Sequence, residues 1–172
     1  MRLSIILPAA LASLSFAAQS QNCSDVYEAI HQAEYKLAYT LDTKNWDILG
    51  ESMTEDVIYD NSAFGPGKGG VSTGLDQVIS NTKAAFGDSL VEHIVANALI
   101  NVDSSEQWAH VITYLIFSKW DPNALGDPDK TYRVYEKCDD TFVVDNGAWK
   151  LKYSKVTNMG PAFEMPYFNK TT

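Results

Sequence analysis

The stretch Trp108-Ala109-His110-Val111-Ile112-Thr113-Tyr114-Leu115-Ile116-Phe117-Ser118-Lys119-Trp120 decides the fold. It is rich in β-branched and aromatic residues and holds neither Gly nor Pro, so it reads as one long strand. Successive side chains of a strand point to opposite faces. Trp108, His110, Ile112, Tyr114 and Ile116 then share one face, and Ala109, Val111, Thr113, Leu115 and Phe117 the other. A sheet solvated on one side alternates with polar residues, and this one does not. Both faces therefore need cover: helices on one, and a second subunit as the economical cover for the other.

Similar texture extends on either side. Leu90 to Val102 reads as a preceding strand, with a turn at Asp103-Ser104-Ser105, and the quoted strand begins at Gln107. Lys130 to Val144 and Trp149 to Thr157 follow, joined by Asp145-Asn146-Gly147. Asn-Gly supplies the positive φ angles of a tight hairpin. Asp121 to Asp129, with two Pro and one Gly, is a longer connection. Upstream, Ser24 is an N-cap candidate, and Val26, Ile30, Ala33, Leu37 and Leu41 recur at helical spacing. A short helix over Asn45 to Met53, a short strand at Asp56 to Tyr59, a loop from Asn61 to Thr73 and a third helix after Gly74 complete the chain. Helices first and then an antiparallel meander is the α+β pattern, with N-terminal helices packed on one face of a strongly curved sheet.

Residues 1–20 read as a secretory signal peptide: Arg2, an apolar run from Leu3 to Phe16, then small residues. The run is too short to span a bilayer. The expected destination is therefore outside the cytosol, as a secreted protein. A single domain over 21–160 and a tail over 161–172 account for the rest. The formal charge is −9, and −10 once Arg2 leaves with the leader. No Lys/Arg cluster offsets it, which argues against nucleic acid and anionic membranes as partners. In an oxidising compartment Cys23 and Cys138 form one natural disulfide, with two unpaired thiols as the alternative. Two cysteines without matching histidines argue against zinc. Asn22-Cys23-Ser24 and Asn169-Lys170-Thr171 are N-glycosylation sequons, Asn169 in the better context.

The candidate chemistry lies in two acid–base residues. Asp42 sits at the junction of two helical stretches and His93 near the start of the Leu90 strand. A carboxylate that orients an imidazole moves a proton without metal or cofactor. The plain alternatives are a helix-end cap for Asp42 and a core histidine for His93. Glu136 shares a face with Tyr132, Val134 and Cys138, where burial would raise its pKa and suit it as a general acid. Its alternative is a surface carboxylate paired with Lys137 or Arg133. His110 lies an odd number of residues from Phe117, so it belongs to the opposite, outer face. His31 sits beside Glu28 and Lys36 and reads as solvated or capping. Gly65-Pro66-Gly67-Lys68-Gly69-Gly70 satisfies a dinucleotide motif literally but lacks the βαβ context, and reads as a flexible loop that can hinge over a pocket.

Five segments in order carry a resemblance: Leu41 to Asp47, Met53 to Tyr59, Gly74 to Ile79, His93 to Asn97, and Asp145 to Leu151. Together they resemble SnoaL-like proteins of the nuclear transport factor 2-like superfamily, from about Val26 to Val156. The resemblance implies a cone-shaped α+β barrel whose helices and sheet enclose a pocket. Members include polyketide cyclases, scytalone dehydratase-like enzymes, isomerases, epoxide hydrolases and non-catalytic binders. Scytalone dehydratase is similar in a useful way: its catalytic Asp falls on Asp42 and one catalytic His on His93. Its other His falls near Phe117, its Ser near Glu136, and the tyrosine before its Asp is Leu41 here. The dyad is kept while the rest of that site is replaced.

The resemblance thus implies a cofactor-free enzyme, with no metal, catalysing elimination of water, cyclisation or isomerisation of a hydrophobic polyketide- or terpenoid-like metabolite. Asp42, His93 and Glu136 are the candidate catalytic residues, and Tyr59, Phe117, Trp149 and Tyr153 the candidate walls. Phe163, Met165 and Phe168 would close the pocket from the tail. The expected partners are the small hydrophobic substrate and a second or third copy, docked through the outer sheet face. A secreted binder of an apolar ligand is the rival reading.

Overall fold

The computed structural model describes residues 15–160, with side chains from Asp25 onward. Residues 1–14 of the expected leader lie outside the described residues, and its last six residues fall in the first helix. The tail residues Phe163, Met165 and Phe168, the sequon at Asn169 and the side chain of Asn22 also lie outside the described residues. Helix α1 (Ser15–Asp42) starts ahead of the Ser24 cap expected from the sequence. Its Ile30 and Leu41 are buried beside Leu49, in the 3-10 turn Trp46–Glu51 that follows. Strands β1 (Met53–Asp60) and β2 (Val71–Thr73) come next, then α2 (Leu75–Phe86). The meander β3 (Leu90–Val102), β4 (Trp108–Trp120), β5 (Thr131–Asp145) and β6 (Ala148–Asn158) ends the described chain.

The six strands form one sheet in the order β2-β1-β6-β5-β4-β3. The class is α+β and the sheet mostly antiparallel, as the sequence implies, but the sheet is open at β2 and β3 rather than closed into a barrel. β1 pairs parallel to β6, which inserts the first strand beside the last. No local pattern foretells that pairing. β2 was hidden in the Gly-rich loop, being only three residues long.

β4 keeps an unbroken register with β5 from Trp108 to Trp120. Its odd-numbered residues therefore look inward, with Ala109 and Val111 fully buried under the helices. The even-numbered ones face out, and His110 pairs there with Asp139 of β5 at 2.8 Å. Inward-facing Phe142, Leu151, Val134 and Val156 extend the core across β5 and β6. Cys138 lies in the same inward row and is buried as a free thiol. The side chain of Cys23, its expected partner, is outside the described residues.

A candidate active site

The end of α1 is shaped by Lys44, whose φ of 53° is left-handed. Few non-glycine residues accept that conformation. Here Lys44 N–H donates to the Leu41 carbonyl at 3.1 Å, and its ammonium donates to the Gly87 carbonyl at 2.7 Å. The reversal leaves Asp42 as the last helical residue, facing β3. Because β3 is an edge strand, its outer backbone donors need partners from elsewhere. The His93 amide finds one in Asp42 Oδ2 at 3.0 Å, while His93 Nδ1 meets Asp42 Oδ1 at 2.6 Å.

One carboxylate thus grips both the backbone and the ring of one residue. A carboxylate oxygen accepts, so Nδ1 carries the proton of this bond, and in the neutral ring Nε2 is then the acceptor. His93 lines a cavity of about 660 Å³, a size suited to a small organic ligand. Its ring packs in an aromatic group: 4.9 Å from Phe117 and 6.1 Å from Phe86, with Phe117 a further 6.1 Å from Tyr132. Leu41, Met53, Val78 and Val156 supply aliphatic wall.

Glu136 also lines the cavity and is nearly buried. Desolvation pushes its carboxyl up to about 8, so it holds its proton at neutral pH. The sheet register places it opposite His93. His93 pairs with Phe117, which pairs with Val134, and Glu136 stands one inward step further along β5. At normal strand spacing the two backbones are roughly 12 Å apart, leaving room for a ring between the side chains. Tyr59 is half-buried in the same wall, and its hydroxyl is held protonated by desolvation and then by the charges of Cys138, Glu136 and Asp140.

Of the four expected wall residues, Tyr59 and Phe117 line the cavity. Trp149 and Tyr153 do not. β6 carries a bulge where its register with β5 shifts between Thr141 and Phe142. Leu151 therefore faces inward opposite Phe142, whereas Tyr153 is turned outward opposite Thr141. Trp149 keeps the inward direction but packs on the hydrophobic core, away from the cavity. The sequence reading missed Phe86, Lys119, Asn61 and Asn158 in the wall. Lys119 had a signal, since it shares strand parity with Phe117. Asn61 and Asn158 had none, because loop closure and the β6 bulge set their directions.

The loop from Asn61 to Gly70 folds over one side of the cavity. Asn61 N–H donates to the Gly70 carbonyl at 2.9 Å, and Gly70 N–H donates to Asn61 Oδ1 at 2.7 Å. A Cβ on Gly69 would stand 1.9 Å from the Asn61 carbonyl oxygen, so only glycine fits this clasp. Phe64 and Lys68 from the loop contribute to the lining. His31, expected as solvated or capping, is instead part-buried, with Nδ1 3.4 Å from Glu34 Oε2 and its ring stacked on Tyr35.

A pocket held between helices and a mostly antiparallel sheet, with His93 in its wall and Asp42 behind it, defines the chain as an α+β protein of the pocket-enclosing, helices-on-sheet class. The chain belongs to the SnoaL-like domain family, whose model matches residues 24–155. No curated protein matches it. Among solved structures it is similar to the Kfla4162 protein from Kribbella flavida, with TM-score 0.69 and 20% identity over 80% of this chain and 93% of that one. A Novosphingobium aromaticivorans protein named "putative scytalone dehydratase" has TM-score 0.66 and 21% identity over 83% and 89%. ActVI-ORFA from Streptomyces coelicolor has TM-score 0.64 and 13% identity over 78% and 97%. At these identities the likeness is one of fold, and the fold is of the type that cofactor-independent enzymes use.

Proposed function

We propose that this chain is a cofactor-independent acid–base enzyme acting on a small hydrophobic cyclic metabolite of polyketide or terpenoid type. The observation that carries the reading is the double grip of Asp42 on His93, by ring and by backbone. It aims Nε2, unprotonated, at a substrate lying on Phe117. That nitrogen removes a proton next to a carbonyl, and the Asp42 carboxylate stabilises the imidazolium formed. Glu136, neutral at pH 7, delivers a proton to the departing hydroxyl or the developing enolate on the far wall. Elimination of water, cyclisation and double-bond shift all reduce to this pair of transfers. The fold of the scytalone dehydratase-named relative supports dehydration as the first reaction to try.

The test is turnover of a panel of cyclic β-hydroxy ketones, followed by the absorbance of the conjugated product. Wild type is expected to turn over at least one member, and His93→Ala to lose that activity. Full activity in His93→Ala overturns the proposal. Binding of the panel without any turnover by wild type selects the binder instead.

The reading extends to assembly and location. Leu99, Trp108, Ile94 and Tyr135 are exposed together on the outer faces of β3, β4 and β5, with Leu99 64% exposed. Burying such a patch is worth roughly 25 cal/mol per Å². A second copy, in a homodimer or homotrimer, is the occupant we infer, in a protein exported through the secretory route. Sedimentation at micromolar concentration is expected to show an oligomer that Leu99→Glu dissociates; a monomeric wild type overturns the inference.

A further inference from the structure

The pairing of β5 with β6 sets two polar side chains against each other at the far wall of the cavity. Glu136 stands directly opposite Asn158, and both line the cavity. Just beyond them, the Met159 amide donates to the Tyr135 carbonyl at 2.8 Å. A bond in that place makes Glu136 and Asn158 a non-hydrogen-bonded pair of the ladder. Such partners stand closest in an antiparallel sheet, with Cα atoms roughly 4.5 Å apart and side chains rising side by side.

The orientation of the Asn158 amide is fixed by the chain itself. The Gly160 N–H donates to its Oδ1 at 3.0 Å, so the oxygen is committed to the turn and the two donors of Nδ2 are left over. Among the described residues, neither Nδ2 nor the Glu136 carboxyl makes a hydrogen bond. Yet Glu136 is only 9% exposed. Buried polar groups seldom go unpaired, and these two do not bond to each other even at the closest spacing the sheet offers. They form a notch open to the cavity. An amide donor is on one side and, at neutral pH, a protonated carboxyl on the other.

We propose that this notch holds the carbonyl oxygen of the substrate, with Asn158 Nδ2–H and the Glu136 O–H donating to its two lone pairs, and that the substrate is therefore a cyclic ketone. The proposal rests on the enzyme reading for its chemistry and deepens it by adding Asn158 and placing the reacting group. A departing hydroxyl has a hydrogen of its own to place, whereas a carbonyl oxygen takes two donors and offers none. Two donors also converge where negative charge develops when a ketone enolises. His93 Nε2 takes the proton from the carbon beside the carbonyl. The C–H electron pair becomes the enol double bond, and the carbonyl π pair moves to oxygen, which takes the Glu136 proton. In a β-hydroxy ketone the enol O–H then returns its proton to Glu136 as the carbonyl re-forms. The β-hydroxyl departs with the imidazolium proton as water, leaving the conjugated ketone and both residues restored. Asn158 exchanges no proton and holds the oxygen throughout.

The experiment uses two probes of one outline, 2-acetylnaphthalene and 2-isopropenylnaphthalene, which differ by a carbonyl oxygen against a methylene. Neither carries a β-hydroxyl, so both report binding alone. Titrated into the full protein at pH 7, the ketone is expected to bind roughly tenfold more tightly than the alkene, which is what two net hydrogen bonds supply. Asn158→Leu is expected to remove most of that preference while still binding the alkene, which shows that the variant is folded. The infrared carbonyl band of the bound ketone, labelled with carbon-13, is expected at lower frequency in wild type than in Asn158→Leu. Glu136→Gln, whose amide donates but transfers no proton, is expected to keep the preference and lose turnover. An Asn158 that only holds the Gly160 turn would weaken both probes alike and leave the ratio and the band in place. That result, or equal binding of the two probes by wild type, overturns the proposal. Ketone preference without turnover of the β-hydroxy ketone panel removes the enzyme reading alone, and turnover without ketone preference removes this inference alone.

Discussion

Asp42→Asn is expected to slow turnover by roughly 10²- to 10⁴-fold with little change in KM. The substitution is nearly isosteric, and an Asn oxygen can still accept the His93 amide that Asp42 Oδ2 now receives at 3.0 Å. The clasp between α1 and β3 therefore survives. What changes is the atom facing the ring. The amide nitrogen donates to Nδ1, so the imidazole must carry its proton on Nε2 instead. His93 then presents a donor to the cavity where the proposed reaction needs an acceptor. An imidazolium formed during turnover would also face an amide dipole rather than a full negative charge. Both effects act on the chemical step, which is why kcat falls while binding on Phe117 is spared.

The control is a melting curve. Asp42→Asn should melt within a few degrees of wild type, whereas Asp42→Ala, which empties both hydrogen bonds, should melt lower. If Asp42→Asn keeps wild-type kcat with Nδ1 facing an amide, His93 does not act as a base, and the clasp is purely structural.

The contrast between Asp42 and Tyr153 shows what the sequence could disclose. Asp42 ends a helix and His93 nearly opens an edge strand, and both positions follow from apolar periodicity. The two could be paired once the family's segment order was recognised, although they lie 51 residues apart. The four long strands and the inward face of β4 were legible for the same reason: an uninterrupted strand obeys its parity. Tyr153 was misplaced because a single bulge in β6 reverses parity, and nothing near Lys152 announces it. The partnership of β1 with β6 was invisible because parallel pairing leaves no local mark. The burial of Glu136 was one of two readings its neighbours allowed, the other being a surface carboxylate. Lys119 was overlooked as a wall residue because it sits in a Ser-Lys-Trp terminus that resembles an exposed strand end.

The second large effect concerns stability, which is expected to fall as pH rises from about 5 to 8.5. Two inward carboxyls on β5 are the cause. Asp140 is pushed up to about 8, chiefly by burial, with the charges of Glu34 on α1 and Asp139 adding to it and a hydrogen bond from Ser154 opposing it. Glu136 is pushed up to about 8 by burial alone. Glu34 is raised as well, by burial, against a hydrogen bond from Thr113 and the proximity of His31. Below the ordinary carboxyl range near 4, folded and unfolded chains both hold these protons, and the stability is complete. Between there and about 8 the unfolded chain releases protons that the folded chain keeps, so stability declines with each unit of pH. A displacement of about four units corresponds to something of order 5 kcal/mol for one fully buried group, a large share of an ordinary domain's stability. Asp140→Asn should remove its part: urea unfolding of the variant is expected to show a shallower pH slope and a gain over wild type at pH 8.5 that is much smaller at pH 5. Stability that is flat or rising between pH 5 and 8 would mean that these carboxyls are ionised in the fold. That outcome would also deprive Glu136 of the proton on which its role as an acid depends, so the unfolding curve and the catalytic reading stand on the same buried group.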